Sequence, residues 1–200
     1  MILCLDLSTT STGYALFNYS TKKLIEYDVI KPKVKNISKM KYPKQQIKKC
    51  VSVSSQIMDV INKNKDSLKY IIIEEINGHK NRLAGKTLDG LHFVLLLQFS
   101  DEQLEIVKYI DSDGIRGWRT ALNLKLNDSD KIINKENKKL NKTIKGTKLP
   151  IINKKTLACR FVNKNYVKSF DVDKNKSHAD ICDAIGLGHA FLYIINRREF

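Results

Sequence analysis

The first seventeen residues constrain the fold of this chain more than any other stretch of the sequence. Residues 2–5 form a short continuous apolar run, which is typical of a buried strand. The small polar residues 8–13 predict a tight turn, and residues 14–17 resume the apolar pattern. A strand, a turn and a returning strand make a hairpin that holds Asp6 at the edge of the core, facing a cleft. The alternative is that Asp6 only ends the strand and bonds the backbone of the turn.

The rest of the chain alternates strand-like and helix-like segments, which predicts an α/β fold. Apolar runs typical of strands lie at residues 23–30, 69–75 and 104–110, and helical periodicity lies at residues 44–64, 85–99, 115–124, 156–162 and 177–196. Residues 127–153 are rich in Lys and Asn and hold few large apolar side chains, so they predict a loop or an insertion. A chain of 200 residues has the length of one domain.

The strongly basic composition indicates a polyanionic partner. The chain holds 36 Lys and Arg residues against 21 Asp and Glu residues, which gives a formal net charge of +15 and a pI of about 9.6. Its mean field therefore attracts nucleic acid. An AT-rich genome also produces many Lys and Asn codons, and the two explanations can both hold. Residues 131–155 contain nine lysines and a single acid, Glu136. Such a block of like charge stays mobile unless a polyanion orders it.

The cysteines and the hydropathy pattern predict an intracellular protein. The four cysteines form no C-x-x-C pair, and three of them lie among apolar neighbours, so we expect reduced core thiols; they are Cys4, Cys50, Cys159 and Cys182. No apolar run approaches the roughly 18–20 residues that span a bilayer, and no basic segment precedes an apolar one at the N-terminus. We therefore expect no zinc site, no membrane contact and a cytoplasmic location.

Two acids stand three residues apart in the last predicted helix, within the sequence SHADICDAIGLGHAFLYIIN. Asp180 and Asp183 project from one helix face, where two like charges repel unless a divalent cation lies between them. Asp180 has an alternative role, because Ser177 and Asp180 have the spacing of a helix capping box. Asp183 has no such alternative. The small residues that follow it would let this helix pack closely on the sheet.

Four acids therefore stand out at strand ends and on one helix face of an otherwise basic chain: Asp6, Glu74, Asp180 and Asp183. Clustered carboxylates bind hard cations such as Mg²⁺ or Mn²⁺ through their oxygens. Two such ions roughly 3.5–4 Å apart activate water and stabilise the leaving oxygen of a phosphodiester. A basic surface that attracts DNA and an acidic cluster that holds metal ions together predict a metal-dependent nuclease.

The segments around these acids resemble a known family. They read LDLSTTSTGYAL, YIIIEEING and HADICDAIGLGHA, and they closely resemble RuvC-type Holliday junction resolvases of the RNase H-like superfamily, particularly the phage-encoded branch. The resemblance covers nearly the whole chain. It implies an RNase H-like five-stranded mixed sheet, with three antiparallel strands and then parallel strands, flanked by helices. Residues 1–200 would form one such nuclease domain, with an insertion at about 127–153 and, for a phage protein, a location in the host-cell cytoplasm.

The same resemblance implies a mechanism and the residues that carry it. The family's four metal-binding acids match Asp6, Glu74, Asp180 and Asp183, with Glu74 preferred over Glu75 because the family's acid directly follows the buried apolar run. The expected cofactor is Mg²⁺, two ions per site, with Mn²⁺ as a substitute. Lys155, with Lys154 as its alternative, corresponds to the basic residue that contacts the scissile phosphate.

The implied reaction resolves four-way DNA junctions in recombination and repair and leaves 5′-phosphate ends. Two cuts in opposing strands favour a two-fold homodimer, which the resemblance places at the helix that begins near Gly85. Where bacterial members carry an aromatic wedge this chain has Asn77, and it has Ser8 where a glycine is common. These departures and the lysine-rich stretch imply a broader range of branched DNA, including Y-forks and flaps, rather than sequence-selective cleavage.

Further DNA contacts are predicted from basic residues near the acids and from an interleaved aromatic. The candidates are His79, Lys80, Arg82, Lys86, Arg116, Trp118 and Arg119. The alternative for residues 77–86 is a solvated loop, and the alternative for Trp118 is a core position. His178 is a candidate for orienting water or phosphate, or simply an exposed residue at the start of a helix.

Two other classes of function are compatible with parts of this pattern. The motif DLSTTSTG also resembles the phosphate-binding hairpin of actin-like ATPases and sugar kinases, but these close two such domains on a nucleotide, which 200 residues cannot supply. The other class is a non-catalytic module that binds branched DNA. Four intact acids argue against it, because unused buried carboxylates are costly to retain.

Overall fold

A five-stranded mixed sheet forms the centre of the computed structural model, which describes residues 1–75, 82–144, 146, 148–166 and 168–195. The strands are β1 (Ile2–Asp6), β2 (Thr12–Phe17), β3 (Leu24–Ile30), β4 (Tyr70–Glu75) and β5 (Val107–Asp111). Their order across the sheet is β3-β2-β1-β4-β5. The first three strands pair antiparallel, and β4 and β5 run parallel to β1. This arrangement confirms the predicted sheet of the RNase H-like fold.

Seven α-helices are found among the described residues. They are α1 (Lys44–Asn64), α2 (Arg82–Leu96), α3 (Asp101–Glu105), α4 (Trp118–Ala121), α5 (Asp128–Thr143), α6 (Lys154–Tyr166) and α7 (Ser177–Ala190), and a π-helical segment, Phe191–Ile195, follows α7. The predicted strand at residues 104–110 starts too early. Ser100 and Gln103 form a capping box that begins α3, so β5 starts only at Val107. None of the described helices is long and apolar enough to cross a membrane.

Alternation along the central strands builds one apolar core on each face of the sheet. Leu3 and Leu5 of β1 point into the core beneath α1 and α2, whereas Ile2 and Cys4 point into the core beneath α6 and α7. Because side chains alternate with a period of two, Asp6 falls on the same face as Cys4. The four cysteines are buried and free, as predicted.

Close approach of α7 to the sheet depends on glycines. A Cβ atom on Gly188 would overlap the ring of Phe17, and one on Gly13 of β2 would overlap the backbone carbonyl of Asp180. A Cβ atom on Gly186 would overlap the ring of Trp118. These contacts confirm the close packing expected of the small residues, and they place the first turns of α7 directly beside the β1–β2 turn.

Residues 128–143 form helix α5, so the predicted loop at residues 127–153 is wrong for this stretch. Asn127 and Asp130 form a capping box that starts the helix. One face of the helix then bonds the returning backbone: Asn134 bonds both the N–H and the C=O of Ile152, and Asn141 bonds both groups of Leu149. The buried face of this helix is polar rather than apolar, and apolar periodicity therefore could not reveal it.

Candidate active site

A cavity of about 670 Å³ opens where the C-terminal ends of β1 and β4 meet α7. The crevice beyond the carboxyl ends of parallel strands is a common place for ligands in α/β sheets. Asp6 is the last residue of β1, and Glu74 lies at the end of the neighbouring parallel strand, one step beyond the pair formed by Leu5 and Ile73. All four predicted acids line this cavity, together with Arg119 and Lys155.

Three of the four acids are almost fully buried. The exposed fraction is 8% for Asp6, 4% for Glu74 and 1% for Asp183. Glu75, the alternative to Glu74, is exposed and does not line the cavity. The alternation of β4 produces this difference, since neighbouring residues of a strand face opposite sides of the sheet.

Asp180 lies at the edge of the cavity and pairs with a lysine. The predicted capping box of α7 does not form, because Lys176 is the N-cap residue and no side chain caps the helix. The carboxylate of Asp180 instead accepts a hydrogen bond of 2.8 Å from Lys155 Nζ. Burial alone would lower the pKa of Lys155, but this hydrogen bond and the charges of Asp180 and Asp183 raise it.

The buried acids carry more negative charge than their surroundings neutralise. Burial, the charges of Glu74 and Asp183 and a hydrogen bond with Glu74 all raise the pKa of Asp6 well above its ordinary value. Burial raises the pKa of Asp183 to about 7, although the charge of Arg119 opposes that shift. A cation bound among these carboxylates would relieve their repulsion.

Arg119 lies between two of the acids rather than on an outer surface. Its Nη2 atom is 3.0 Å from Asp183 Oδ2 and 3.1 Å from Glu74 Oε1, and its side chain is 11% exposed. Its Nη1 atom is 3.9 Å from Asp113 Oδ2. The sequence predicts Arg119 as a DNA contact, whereas the structure makes it a counter-charge within the acidic cluster.

Trp118 positions Glu74 from the core. The indole is fully buried, packs on Gly186, and its Nε1 donates a hydrogen bond of 2.8 Å to Glu74 Oε1. The stacking of Trp118 on DNA is therefore contradicted, and its alternative core position is the one observed. A buried Trp is itself a signal for such a role, because its N–H needs a partner.

None of the other predicted DNA contacts among the described residues lines the cavity. Arg82, Lys86 and Arg116 are exposed, and Lys154 pairs with Asp113 at 2.8 Å. His79 and Lys80, like Asn77, lie outside the described residues. His178 faces away from the acids, since its Nδ1 contacts the backbone N–H and C=O of Asp171 at 2.9 and 3.0 Å.

The donor set of the cavity suits a hard divalent cation. Carboxylate oxygens are the ligands of Mg²⁺ and Mn²⁺, and Asp183 Oδ1 is buried without a hydrogen-bond partner. Arg119 and Lys155 occupy other oxygens of the cluster. In this arrangement no three His, Cys, Asp or Glu side chains of the described ranges form a ready-made metal site. A metal ion that used the oxygens paired with Arg119 or Lys155 would have to displace these cations.

Comparison with known proteins establishes the fold. No protein-family model and no curated protein sequence matches the chain. Thermus thermophilus RuvC in complex with a Holliday junction substrate matches with a TM-score of 0.50 and 10% identity, over 99% of this chain and 94% of that chain. The fowlpox virus resolvase, in complex with Holliday junction DNA, matches with a TM-score of 0.42 and 13% identity, over 96% and 95% of the two chains.

The yeast mitochondrial Holliday junction resolvase Ydc2 matches with a TM-score of 0.44 and 17% identity, over 99% of this chain and 82% of that chain. The full-length match to Thermus thermophilus RuvC, together with the strand order, shows that this chain has the RNase H-like fold of RuvC.

Proposed function

We propose that this protein is a metal-dependent endonuclease that resolves Holliday junctions. The observation that carries the proposal is the convergence of Asp6, Glu74, Asp180 and Asp183 in one cavity of a chain with a net charge of +15. Three of these carboxylates are nearly buried beside one another, which is unfavourable for a protein that does not use them. The shared fold with RuvC, a protein whose structure holds a Holliday junction, supports the same assignment.

In the proposed mechanism the four acids would hold two Mg²⁺ ions, for which Mn²⁺ could substitute. When bound, the ions supply a water of lowered pKa and neutralise charge on the leaving oxygen of the phosphodiester, which leaves a 5′-phosphate end. Trp118 fixes the orientation of Glu74 through its hydrogen bond. Lys155, half exposed at the cavity, binds and orients the scissile phosphate.

The proposed DNA surface consists of exposed basic residues on α2, on α5 and just before α4. Arg82 and Lys86 are exposed on the first turns of α2, and Arg116 is exposed just before α4. Helix α5 adds further exposed lysines, which are Lys131, Lys135, Lys138, Lys139 and Lys142. Such lysines contact phosphates without reading bases, and this supports a substrate range that includes forks and flaps as well as four-way junctions.

We also propose a two-fold homodimer, because resolution of a junction needs two opposed cuts. Exposed apolar side chains near the end of α2 support an interface there, since Phe93 is 67% exposed and Leu97 is 84% exposed. The dimer through this helix stays a prediction, and a measurement of the protein's mass in solution tests it.

The proposal is tested by cleavage of a labelled immobile four-way junction beside linear duplex of the same sequence, with Mg²⁺, Mn²⁺ or EDTA. Wild type is compared with Asp6→Asn and with the matched pair Glu74→Gln and Glu75→Gln. These two neighbours carry the same charge, but only Glu74 lines the cavity. Expected are paired nicks in junction arms that vanish with EDTA, Asp6→Asn or Glu74→Gln and persist with Glu75→Gln.

Tight junction binding without cleavage under every metal condition would contradict the nuclease and favour a DNA-binding module. One observation favours such a module: Arg119 and Lys155 already neutralise part of the acidic cluster. Equal cleavage of junction and linear duplex would retain the nuclease but overturn its selectivity for branched DNA.

A further inference from the structure

A single cationic nitrogen bridges two of the buried acids. Arg119 Nη2 lies 3.1 Å from Glu74 Oε1 and 3.0 Å from Asp183 Oδ2, and these two carboxylates come from different elements, β4 and α7. Burial alone would lower the pKa of Arg119, but the charges of Asp183 and Glu74 raise it. The guanidinium therefore stays charged, and it holds two carboxylate oxygens that would otherwise be available to a metal ion.

The hydrogen bonds of Arg119 are incomplete for a purely structural arginine. A guanidinium offers five N–H donors in a fixed plane, but among the described residues Nε is buried without a partner, and the carboxylate paired with Nη1, that of Asp113, lies 3.9 Å away. The close ion-pair contacts all fall on Nη2. Both close ion pairs thus depend on one atom, so displacement of Nη2 would release both acids together. The guanidinium also lies 4.5 Å over the indole of Trp118.

Asp183 shows the complementary feature. This carboxylate is 1% exposed, and while Oδ2 bonds Arg119, Oδ1 is buried without a hydrogen-bond partner. An unpaired, buried carboxylate oxygen is costly. It gives a divalent cation one open ligand that does not require Arg119 to move, beside Asp6, whose charge interacts with that of Asp183.

We propose that Arg119 is an internal counter-cation that competes with one of two divalent ions, so that the two ions load in sequence. This inference rests on the proposed metal-dependent function. The first ion binds oxygens that Arg119 leaves open, among them Asp183 Oδ1. The second ion must displace the guanidinium from between Glu74 and Asp183.

A destination for the displaced guanidinium is present at the rim of the cavity. Asp113 is 46% exposed and already lies 3.9 Å from Arg119 Nη1. Outward rotation toward Asp113 would retain an ion pair while it frees Glu74 and Asp183. The first ion thus binds without this exchange, whereas the affinity for the second ion is reduced by the free energy of the exchange.

The test is a titration of the metal-free full chain with Mn²⁺, in which free Mn²⁺ is followed by electron paramagnetic resonance. The variants are Arg119→Met and the control Lys155→Met, which removes an equal charge from the same cavity without opening the space between Glu74 and Asp183. For wild type we expect one tight and one weak site. Arg119→Met should tighten the second site by about tenfold or more, given the strength of charge interactions at such distances. Lys155→Met should leave the ratio of the two affinities as in wild type.

An unchanged ratio in Arg119→Met overturns the inference, and so does an equal change in both variants, which would report only the net charge of the cavity. If Arg119→Met does not fold by circular dichroism, Arg119→Lys replaces it; it keeps the charge with fewer donors and should give an intermediate ratio. Wild type that binds no Mn²⁺ overturns the proposed metal site as well. If wild type binds Mn²⁺ and cleaves junctions, but Arg119→Met leaves the ratio of the two Mn²⁺ affinities unchanged, only the role of Arg119 is overturned.

Discussion

Two regions of this molecule bury polar side chains, and they treat them in opposite ways. Along α5, Asn134 is 7% exposed, and both atoms of its amide are bonded to the backbone of Ile152. In the cavity, Asp183 is 1% exposed, and one of its oxygens has no partner. Satisfied polar groups specify a structure, whereas incompletely satisfied ones call for a ligand. The seam between α5 and residues 149–152 therefore serves stability, and the cavity serves function.

The largest difference between the two regions is expected from Asp183→Asn. Loss of a proposed metal ligand should lower junction cleavage by at least about a hundredfold, since even partners of metal ligands cost 10- to 100-fold. In EDTA at pH 8 the same variant should unfold at a higher temperature than wild type, because it removes a buried charge from a repulsive cluster. Cleavage assays and thermal unfolding of the same preparations measure both effects. A variant that loses both activity and stability would place Asp183 with the structural residues.

Trp118→Phe should separate positioning from packing in the cavity. Phenylalanine keeps an aromatic ring in the core but removes the N–H that bonds Glu74 Oε1 and the outer indole atoms that lie nearest Gly186. We expect cleavage to fall by about 10- to 100-fold, with weaker Mn²⁺ binding as a second readout. Unchanged Mn²⁺ affinity together with a large loss of stability would reduce Trp118 to a core residue.

Asn134→Ala should produce the reverse pattern. It leaves the N–H and the C=O of Ile152 without their side-chain partners, which should lower the free energy of unfolding by about 2 kcal/mol. Asn137→Ala is the matched control on the same helix, because Asn137 makes a single bond to Pro150, and its effect should be smaller. Urea denaturation measures both, and cleavage per folded molecule should stay at the wild-type level. A loss of cleavage in Asn134→Ala at full stability would connect the seam to the active site.

The sequence predicted the apolar skeleton and the acids more readily than their neighbours, for a physical reason. Strands β1 and β4 are continuous apolar runs, and α1 has the helical period at residues 44–64, so burial of apolar area defines both. Helix α5 was not predicted, because asparagines on its inner face are not apolar and bond the backbone of residues 149–152 instead. The bond of Trp118 to Glu74 and the place of Arg119 between two acids were not predicted, because both depend on the glycine-dependent packing of α7, a contact between residues about 65 positions apart.

The pH dependence of stability offers the finest distinction between the two regions. Burial raises the pKa of Asp183 to about 7 and that of Asp6 well above its ordinary value. Between the ordinary pKa of a carboxyl and these raised values the folded state binds more protons than the unfolded state. The metal-free protein should therefore lose stability as pH rises from about 4 to 7 and beyond.

Saturating Mg²⁺ should flatten this dependence, because a bound cation replaces the protons. The seam along α5 contributes nothing to the slope, since amides do not titrate. Urea denaturation of wild type and of Asp183→Asn at pH 5, 6, 7 and 8, with EDTA or Mg²⁺, measures the effect, and the variant in EDTA should show the shallower slope. Stability that rises with pH in EDTA would contradict it, because the acids of the cavity would then be stabilised in their charged forms without any metal ion.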